Sequence, residues 1–197
     1  MKPQILLASA SPRRREILAN LGYHVIQIPA GIDETPLAGE NPETYALRMA
    51  QQKNRAAATR PGASKTPLVS ADTVVAAEGR ILGKPFDEAE ARVMLELLSD
   101  SVHQVLTGVC VSYQGEERSI VQVSDVRFKV LSEREIDDYI ATGEPSDKAG
   151  AYGIQGIGGA FVSHLSGSFT GVMGLPVFET LRLLKECGAP VPPFSKG

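Results

Sequence analysis

Residues 4–28, QILLASASPRRREILANLGYHVIQI, hold a strand, a helix and a second strand in immediate succession. Gln4 to Ala8 is an apolar run of the length of a short buried strand. Ser11 suits an N-cap and Pro12 the first helical position, so a helix runs from Pro12 to about Leu21. Val25 to Ile28 then reads as a second short strand. Strand, helix and strand so close together form a crossover connection, which belongs to a sheet with helices packed on it.

The rest of the chain extends this pattern. Asn41-Pro42-Glu43 repeats the helix-start signature, and the helix runs to about Arg60 before Pro61-Gly62 stops it. Leu68 to Ala71 and Val74 to Ala77 are two strand-like runs flanking Asp72-Thr73, with a turn at Glu78-Gly79. Asp87 caps a helix reaching Leu98, and Val105 to Tyr113 pairs with Ile120 to Val130 as a hairpin around Gln114-Gly115. Ser132 and Glu135 form a capping box for a helix ending near Gly143. A glycine-rich loop from Gly150 to Gly159 precedes further strands and a last helix from Pro176 to Cys187. Hairpins and crossovers together predict an α/β fold around a mixed sheet. With no linker dividing it, the chain is expected to form one domain over residues 1–190, with a loose Pro-rich tail at 191–197.

Composition excludes several classes of function. The 197 residues are 43% hydrophobic and 22% charged, a balance that supports a sizeable core in an ordinary globular protein. A net charge of -3 argues against a binder of nucleic-acid polymers, whose affinity rests on unopposed Lys and Arg. Cys110 and Cys187 have no CxxC spacing and suit a reducing compartment. His24, His103 and His164 are scattered and read as structural or surface residues. The apolar stretch after Lys2 is too short for a secretion signal, and no run approaches membrane-spanning length; a cytoplasmic protein is expected.

Several segments carry chemistry. Arg13, Arg14 and Arg15 crowd a helix N-terminus, where the helix dipole disfavours cations by roughly 0.3–1 kcal/mol each. A bound polyanion would resolve that conflict through free N–H groups, the hydroxyls of Ser9 and Ser11, and guanidinium forks; a solvated charge run is the plainer alternative. Lys53 follows Tyr45, Met49 and Ala50 at spacings of eight, four and three, so it falls on their apolar helix face. There it either snorkels out to water or meets a buried anion. Asp72 interrupts two apolar runs, and Asp33-Glu34 could bring a neighbouring carboxylate; the two together suit Mg²⁺ sharing its shell with phosphates, while turn-capping is the bland alternative. Gly83-Lys84-Pro85 adds a cation at a strand end. In Glu144 to Gly156, glycines permit close backbone approach and Gln155 offers both donor and acceptor to a base edge, while flexible-loop composition is the bland alternative. Neither a Walker pattern nor GxGxxG is present.

Taken together these segments resemble the Maf family of nucleoside triphosphate pyrophosphatases, in the branch acting on dTTP and UTP. The resemblance runs through ASASPRR (8–14), Asp33-Glu34, Lys53, ADTVV (71–75), GKP (83–85), TGEPSDKAGAYGIQG (142–156) and GLP (174–176). It implies a fold similar to inosine triphosphate pyrophosphatases, with two lobes around a twisted mixed sheet, a cleft between them, and a homodimer. It also implies that Asp72 is the general base and that Glu34 with Asp72 holds a divalent cation (Mg²⁺, Mn²⁺ or Co²⁺). Ser9, Arg14, Lys53 and Lys84 would then bind the triphosphate, while Arg13, Thr73 and Gln155 match positions linked to base choice. One departure is Gly31, where many members have Asp before the Ile. The expected reaction is water attack on the α-phosphorus with release of pyrophosphate, as house-cleaning of nucleotide pools with a possible link to arrest of cell division. A nucleotide-sensing regulator that does not hydrolyse its ligand is the competing expectation.

Overall fold

The computed structural model describes residues 2–192. In chain order the elements are β1 (Gln4–Leu7), α1 (Pro12–Asn20), β2 (His24–Gln27), α2 (Pro42–Ala58), β3 (Leu68–Ala77), β4 (Arg80–Leu82) and α3 (Glu88–Leu98). The hairpin β5 (Val102–Tyr113) and β6 (Glu116–Phe128) follows, then α4 (Glu133–Ile140), β7 (Val162–Ser166), α5 (Phe169–Val172) and α6 (Val177–Glu186). The seven strands form one mixed sheet in the order β2-β1-β3-β5-β6-β7, with β4 paired to β3 off this path. The pairs β1–β2 and β1–β3 are parallel, whereas β3–β5, β5–β6 and β6–β7 are antiparallel. This is the mixed α/β class expected from the sequence.

The predicted caps form. Ser11 accepts from the Arg14 amide, Asn41 from Thr44 and Asp87 from Glu90, and Ser132 with Glu135 closes a reciprocal capping box. Each satisfies donors that a helix start otherwise leaves open.

Two large apolar clusters and two smaller ones, under α2 and around Ala8, make up the interior. One joins β1, α1 and α6 to the first half of β3, through Val69 and Ala71, and the last part of β5, through Val109 and Val111. The other joins α3, α4 and residues 151–161 to Val75 and Ala77 of β3 and to Val105 of β5. β3 and β5 therefore run through both clusters. Between the clusters they carry Asp72 and Thr73, paired in register with Gly108 and Thr107.

β3 corrects the sequence reading. The two predicted runs are one strand of ten residues, and Asp72 sits in its middle, not at an end. A polar dipeptide does not interrupt a ladder, because the pairing groups are backbone N–H and C=O. β4 ends at Leu82, the strand end expected before Gly83, and the glycine-rich segment contains short 3₁₀ turns at Ala149–Ala151 and Ile157–Phe161. Of the predicted tail, Val191 packs against the first cluster, and residues 193–197 lie outside the described residues. Both cysteines are free and buried, and no described helix is long and apolar enough to cross a membrane.

Helix α2 lies unusually close to the sheet. Ala46 and Ala50 are fully buried, and a Cβ added at Gly108 would stand 2.2 Å from the Ala46 carbonyl oxygen. The fully buried Asn54 fixes the helix rotation: its Nδ2 donates to the carbonyls of Leu68 and Cys110, and its Oδ1 accepts from the Ser112 hydroxyl. Ser70 adds a hydrogen bond to the Ala50 carbonyl at 2.7 Å. Gly108→Ala must push α2 outward. Overpacking of this kind costs about 1–3 kcal/mol, a loss of roughly 2–12 °C in Tm for a chain of this size. Thermal melts of the two proteins check it, and an unchanged Tm would contradict the close approach.

Candidate active site

A cleft of about 860 Å³ opens where the two clusters meet. Its position follows from the sheet. β1 pairs with β3 at Leu68 and Val69, and β4 pairs with it from Val75 to Ala77, so neither strand covers that edge of β3 around Asp72. Side chains of a strand alternate between faces. Asp72 thus projects toward α2 and Thr73 toward α1 and α5, and both line the same opening.

On the α2 side, Lys53 resolves its ambiguity: it meets anions. Its Nζ lies 2.7 Å from Asp72 Oδ1 and 2.9 Å from Glu34 Oε1. Lys53 and Asp72 are buried, at 9% and 8% exposure, whereas the Glu34 side chain is 56% exposed. The adjacent acids divide their work. Asp33 accepts from the Thr35 amide as a turn former, and Glu34 alone reaches the cleft. Tyr45, on α2, donates to the Glu34 carbonyl at 2.7 Å and so ties this loop to the helix that carries Lys53. Burial, aided by Asp72 and Glu34, pushes the Tyr45 phenol up to about 12, so it remains a donor at neutral pH.

On the other face, Arg14 is held at three points. Nε donates to the Gly174 carbonyl at 2.8 Å, while Nη1 and Nη2 donate to Ser9 Oγ and Thr73 Oγ1, each at 3.1 Å. Thr107 Oγ1 lies 2.9 Å from Thr73 Oγ1 and donates to the Gly171 carbonyl at 2.8 Å. A hydroxyl has one hydrogen. Thr107 directs its own to Gly171, so Thr73 must donate to Thr107 and accept from Arg14. The proton order along this chain is therefore fixed, and the Thr73 oxygen faces the cleft only as an acceptor. Burial weighs against the Arg14 cation and Asp72 opposes it, so the net displacement is downward from the ordinary guanidinium range. Such a group remains charged near neutral pH, and an arriving anion would relieve it.

The remaining predicted residues separate clearly. Arg13, Lys84 and Gln155 line the cleft. Arg13 and Lys84 form no ion pair among the described residues. Arg15 is exposed and does not line the cleft, so only two of the three clustered arginines face it. Asp147, on the cleft wall, is held below the usual carboxylate range by its hydrogen bond from Lys148, with Arg13 contributing. Ser9, Arg13, Arg14, Glu34, Lys53, Asp72, Thr73, Lys84 and Gln155, from distant parts of the chain, thus share one opening.

A family model described as Maf-like protein matches residues 4–187. The chain belongs to the Maf family. Among Maf relatives it is 54% identical over 192 residues to the dTTP/UTP pyrophosphatase of Pasteurella multocida, covering 94% of this chain and 96% of that one. A dTTP/UTP pyrophosphatase of Neisseria meningitidis serogroup B is 52% identical, covering 93% and 94% of the two chains. A nucleoside triphosphate pyrophosphatase of Haemophilus ducreyi is 50% identical over 98% of this chain and all of its own, 100%. Among solved structures, the Staphylococcus aureus Ham1 protein is similar with a TM-score of 0.48 and 19% identity, over 64% of this chain and 71% of that one.

The sequence reading missed Tyr45, Asn54, Thr107 and the Gly174 carbonyl, which support the Maf cleft from behind. Thr107 left one signal, a hydroxyl in the otherwise apolar run of β5. Its role predicts a measurable asymmetry. Thr107→Val keeps the shape but strips the Thr73 hydroxyl of its acceptor, at about 1–3 kcal/mol for a donor left unpaired, while the Gly171 carbonyl keeps the Gly174 amide at 2.9 Å. Thr107→Ser should recover most of that loss in denaturant midpoints. Equal midpoints for the Val and Ser variants would mean that the hydroxyl chain contributes nothing.

Proposed function

We propose that this chain hydrolyses dTTP and UTP, and modified pyrimidine triphosphates, to the monophosphate and pyrophosphate. The observation that carries this reading is Lys53 bridging Asp72 and Glu34 in a cleft that Arg13, Arg14 and Lys84 also face. The names of the Maf relatives point the same way. In this reading Arg14, Lys53 and Lys84 bind phosphate oxygens, with Ser9 steadying Arg14. Asp72 orients a water and takes its proton as the water attacks the α-phosphorus in line, and pyrophosphate leaves. Fixed cations favour charge developing on the phosphate oxygens, and most of the acceleration comes from positioning and charge.

The residues fit a hard divalent cation. Two carboxylates gathered on one ammonium supply the anionic ligands, and phosphate oxygens and water complete the shell that Mg²⁺ prefers. Among the described residues no group of three or more His, Cys, Asp or Glu is placed to form a full protein cage. Glu34 and Asp72 would hold Mg²⁺, Mn²⁺ or Co²⁺, which when bound neutralises phosphate charge and lowers the pKa of a coordinated water. From the family likeness we further propose a homodimer acting in the cytoplasm, with neither nucleic-acid polymer nor membrane as partner.

The test is a panel of ordinary and modified triphosphates with Mg²⁺, scored for monophosphate and pyrophosphate. A non-hydrolysing sensor returns the triphosphate unchanged, and a γ-phosphatase yields diphosphate and orthophosphate; either result overturns the proposal. Asp72→Asn should lower kcat by about 10²–10⁴-fold, the usual worth of a general base, with Tm showing that the fold persists. Near-normal turnover would remove Asp72 from the role. Gln155→Ala should narrow the UTP-over-CTP preference more than it slows hydrolysis, because a site built to pair a polar group rejects the mismatched base. Equal losses on every nucleotide would deny Gln155 that part.

A further inference from the structure

Gln155 is exposed at the cleft and sits on a segment with little regular structure. Something must hold that segment, since a mobile carboxamide discriminates poorly. The holding group is the carboxylate of Glu144, which itself does not line the cleft. Oε2 accepts from the Ile157 amide at 3.0 Å; Oε1 accepts from the Gly158 amide at 3.2 Å and from the Tyr139 hydroxyl at 2.9 Å. The Tyr139 oxygen in turn accepts from the Gly153 amide at 3.2 Å. The stretch carrying Gln155 is thus pinned on both sides, at Gly153 through Tyr139 and at Ile157 and Gly158 directly.

The backbone is wrapped tightly around this anion. A Cβ on Gly156 would stand 2.4 Å from both Glu144 carboxylate oxygens, and one on Gly153 would stand 2.6 Å from Lys148 Cε. The Lys148 ammonium donates to the Glu144 carbonyl at 2.9 Å and closes the turn from the other side. The glycines around Gln155 are therefore small because a buttress fills the space behind them. Burial raises the Glu144 carboxyl, but the Ile157, Gly158 and Tyr139 hydrogen bonds outweigh it and hold the group below the usual carboxylate range. The buttress is charged at neutral pH.

We propose that Glu144 is a positioning residue for base selection: its carboxylate sets where Gln155 stands in the cleft and so fixes the preference among pyrimidine bases without touching the nucleotide. The inference rests on the reading of Gln155 as the group that meets the base. Glu144→Gln tests it, because the amide keeps the shape but turns one acceptor into a donor facing donors. The ratio of kcat/KM for UTP over CTP should fall about tenfold, the worth of one misplaced hydrogen bond. The KM for UTP should rise while kcat changes by less than about threefold, since interactions shared by ground and transition state act on KM. In the Gln155→Ala background the same substitution should leave the ratio where Gln155→Ala alone puts it.

Each other outcome decides something definite. If Gln155→Ala narrows the ratio and Glu144→Gln does not, the positioning role is overturned and the base-reading role stands. If Glu144→Gln shifts the ratio and Gln155→Ala does not, base reading by Gln155 fails, and the route through it fails too. If the two changes add in the double variant, Glu144 acts elsewhere and the proposal is overturned. Tyr139→Phe frees only the Gly153 end; it should shift the ratio in the same direction by less, and it carries the same cycle if Glu144→Gln does not fold.

Discussion

An ammonium in the interior needs an anion beside it, and the placing of Lys53 against Asp72 meets that need for both residues at once. Leaving either alone in a buried site would cost roughly 3–5 kcal/mol. The pair therefore constrains everything that carries it. Helix α2 must approach the sheet closely enough for Lys53 to reach mid-strand, which Gly108, Ala46 and Ala50 allow. It must also be rotated correctly, which Asn54 secures from the next position along the helix. Neither helix nor strand can slide without separating the charges. The ion pair is thus a fastening within the fold as well as the centre of the cleft.

The same logic explains why the cleft sits between two cores instead of at the end of one. β3 and β5 are apolar where they enter each cluster and polar where they pass from one to the other. At that crossing Asp72 faces one side of the sheet and Thr73 the other. The short partners β1 and β4 stop before covering the edge between them. A ligand lying across this edge can meet carboxylates below the sheet and guanidinium above it. One strand delivers both kinds of group to one opening.

Much of the fold was legible locally. The strand–helix–strand opening, the capping residues and the hairpin at Gln114-Gly115 depend on neighbours a few positions apart, and each formed. The cleft residues were legible as types out of place: a lysine on an apolar face, an aspartate within apolar runs, arginines at a helix start. Their supports were not. Tyr139 and Glu144 look like ordinary members of a helix and a turn, and their roles arise only when residues 153–158 fold back over them. Arg14 meets Gly174 across 160 positions and Thr107 meets Gly171 across 64, separations that periodicity cannot see. The splitting of Asp33 from Glu34, and of Arg15 from Arg13 and Arg14, has the same origin. Adjacent residues of one type were sorted by partners far away in the chain.

The cations differ in how they can serve a polyanion, and the difference lies in their bonding. Arg14 is held by a carbonyl and two hydroxyls before any ligand arrives, so little rotamer freedom remains to be lost. Arg13 and Lys84, without ion pairs among the described residues, would be ordered by the ligand at about 0.5–1.5 kcal/mol for each side chain immobilised. Lys53 is a third kind, already engaged by two carboxylates, so any phosphate oxygen it takes must share it or displace one of them. The exposed Glu34 is the one free to move, since Asp72 is fixed in the middle of a paired strand. Preorganised charge therefore resides in Arg14 and Asp72, and adjustment in Glu34, Arg13 and Lys84. A site divided in this way can adjust to a flexible polyanion at its edge and still keep its middle rigid.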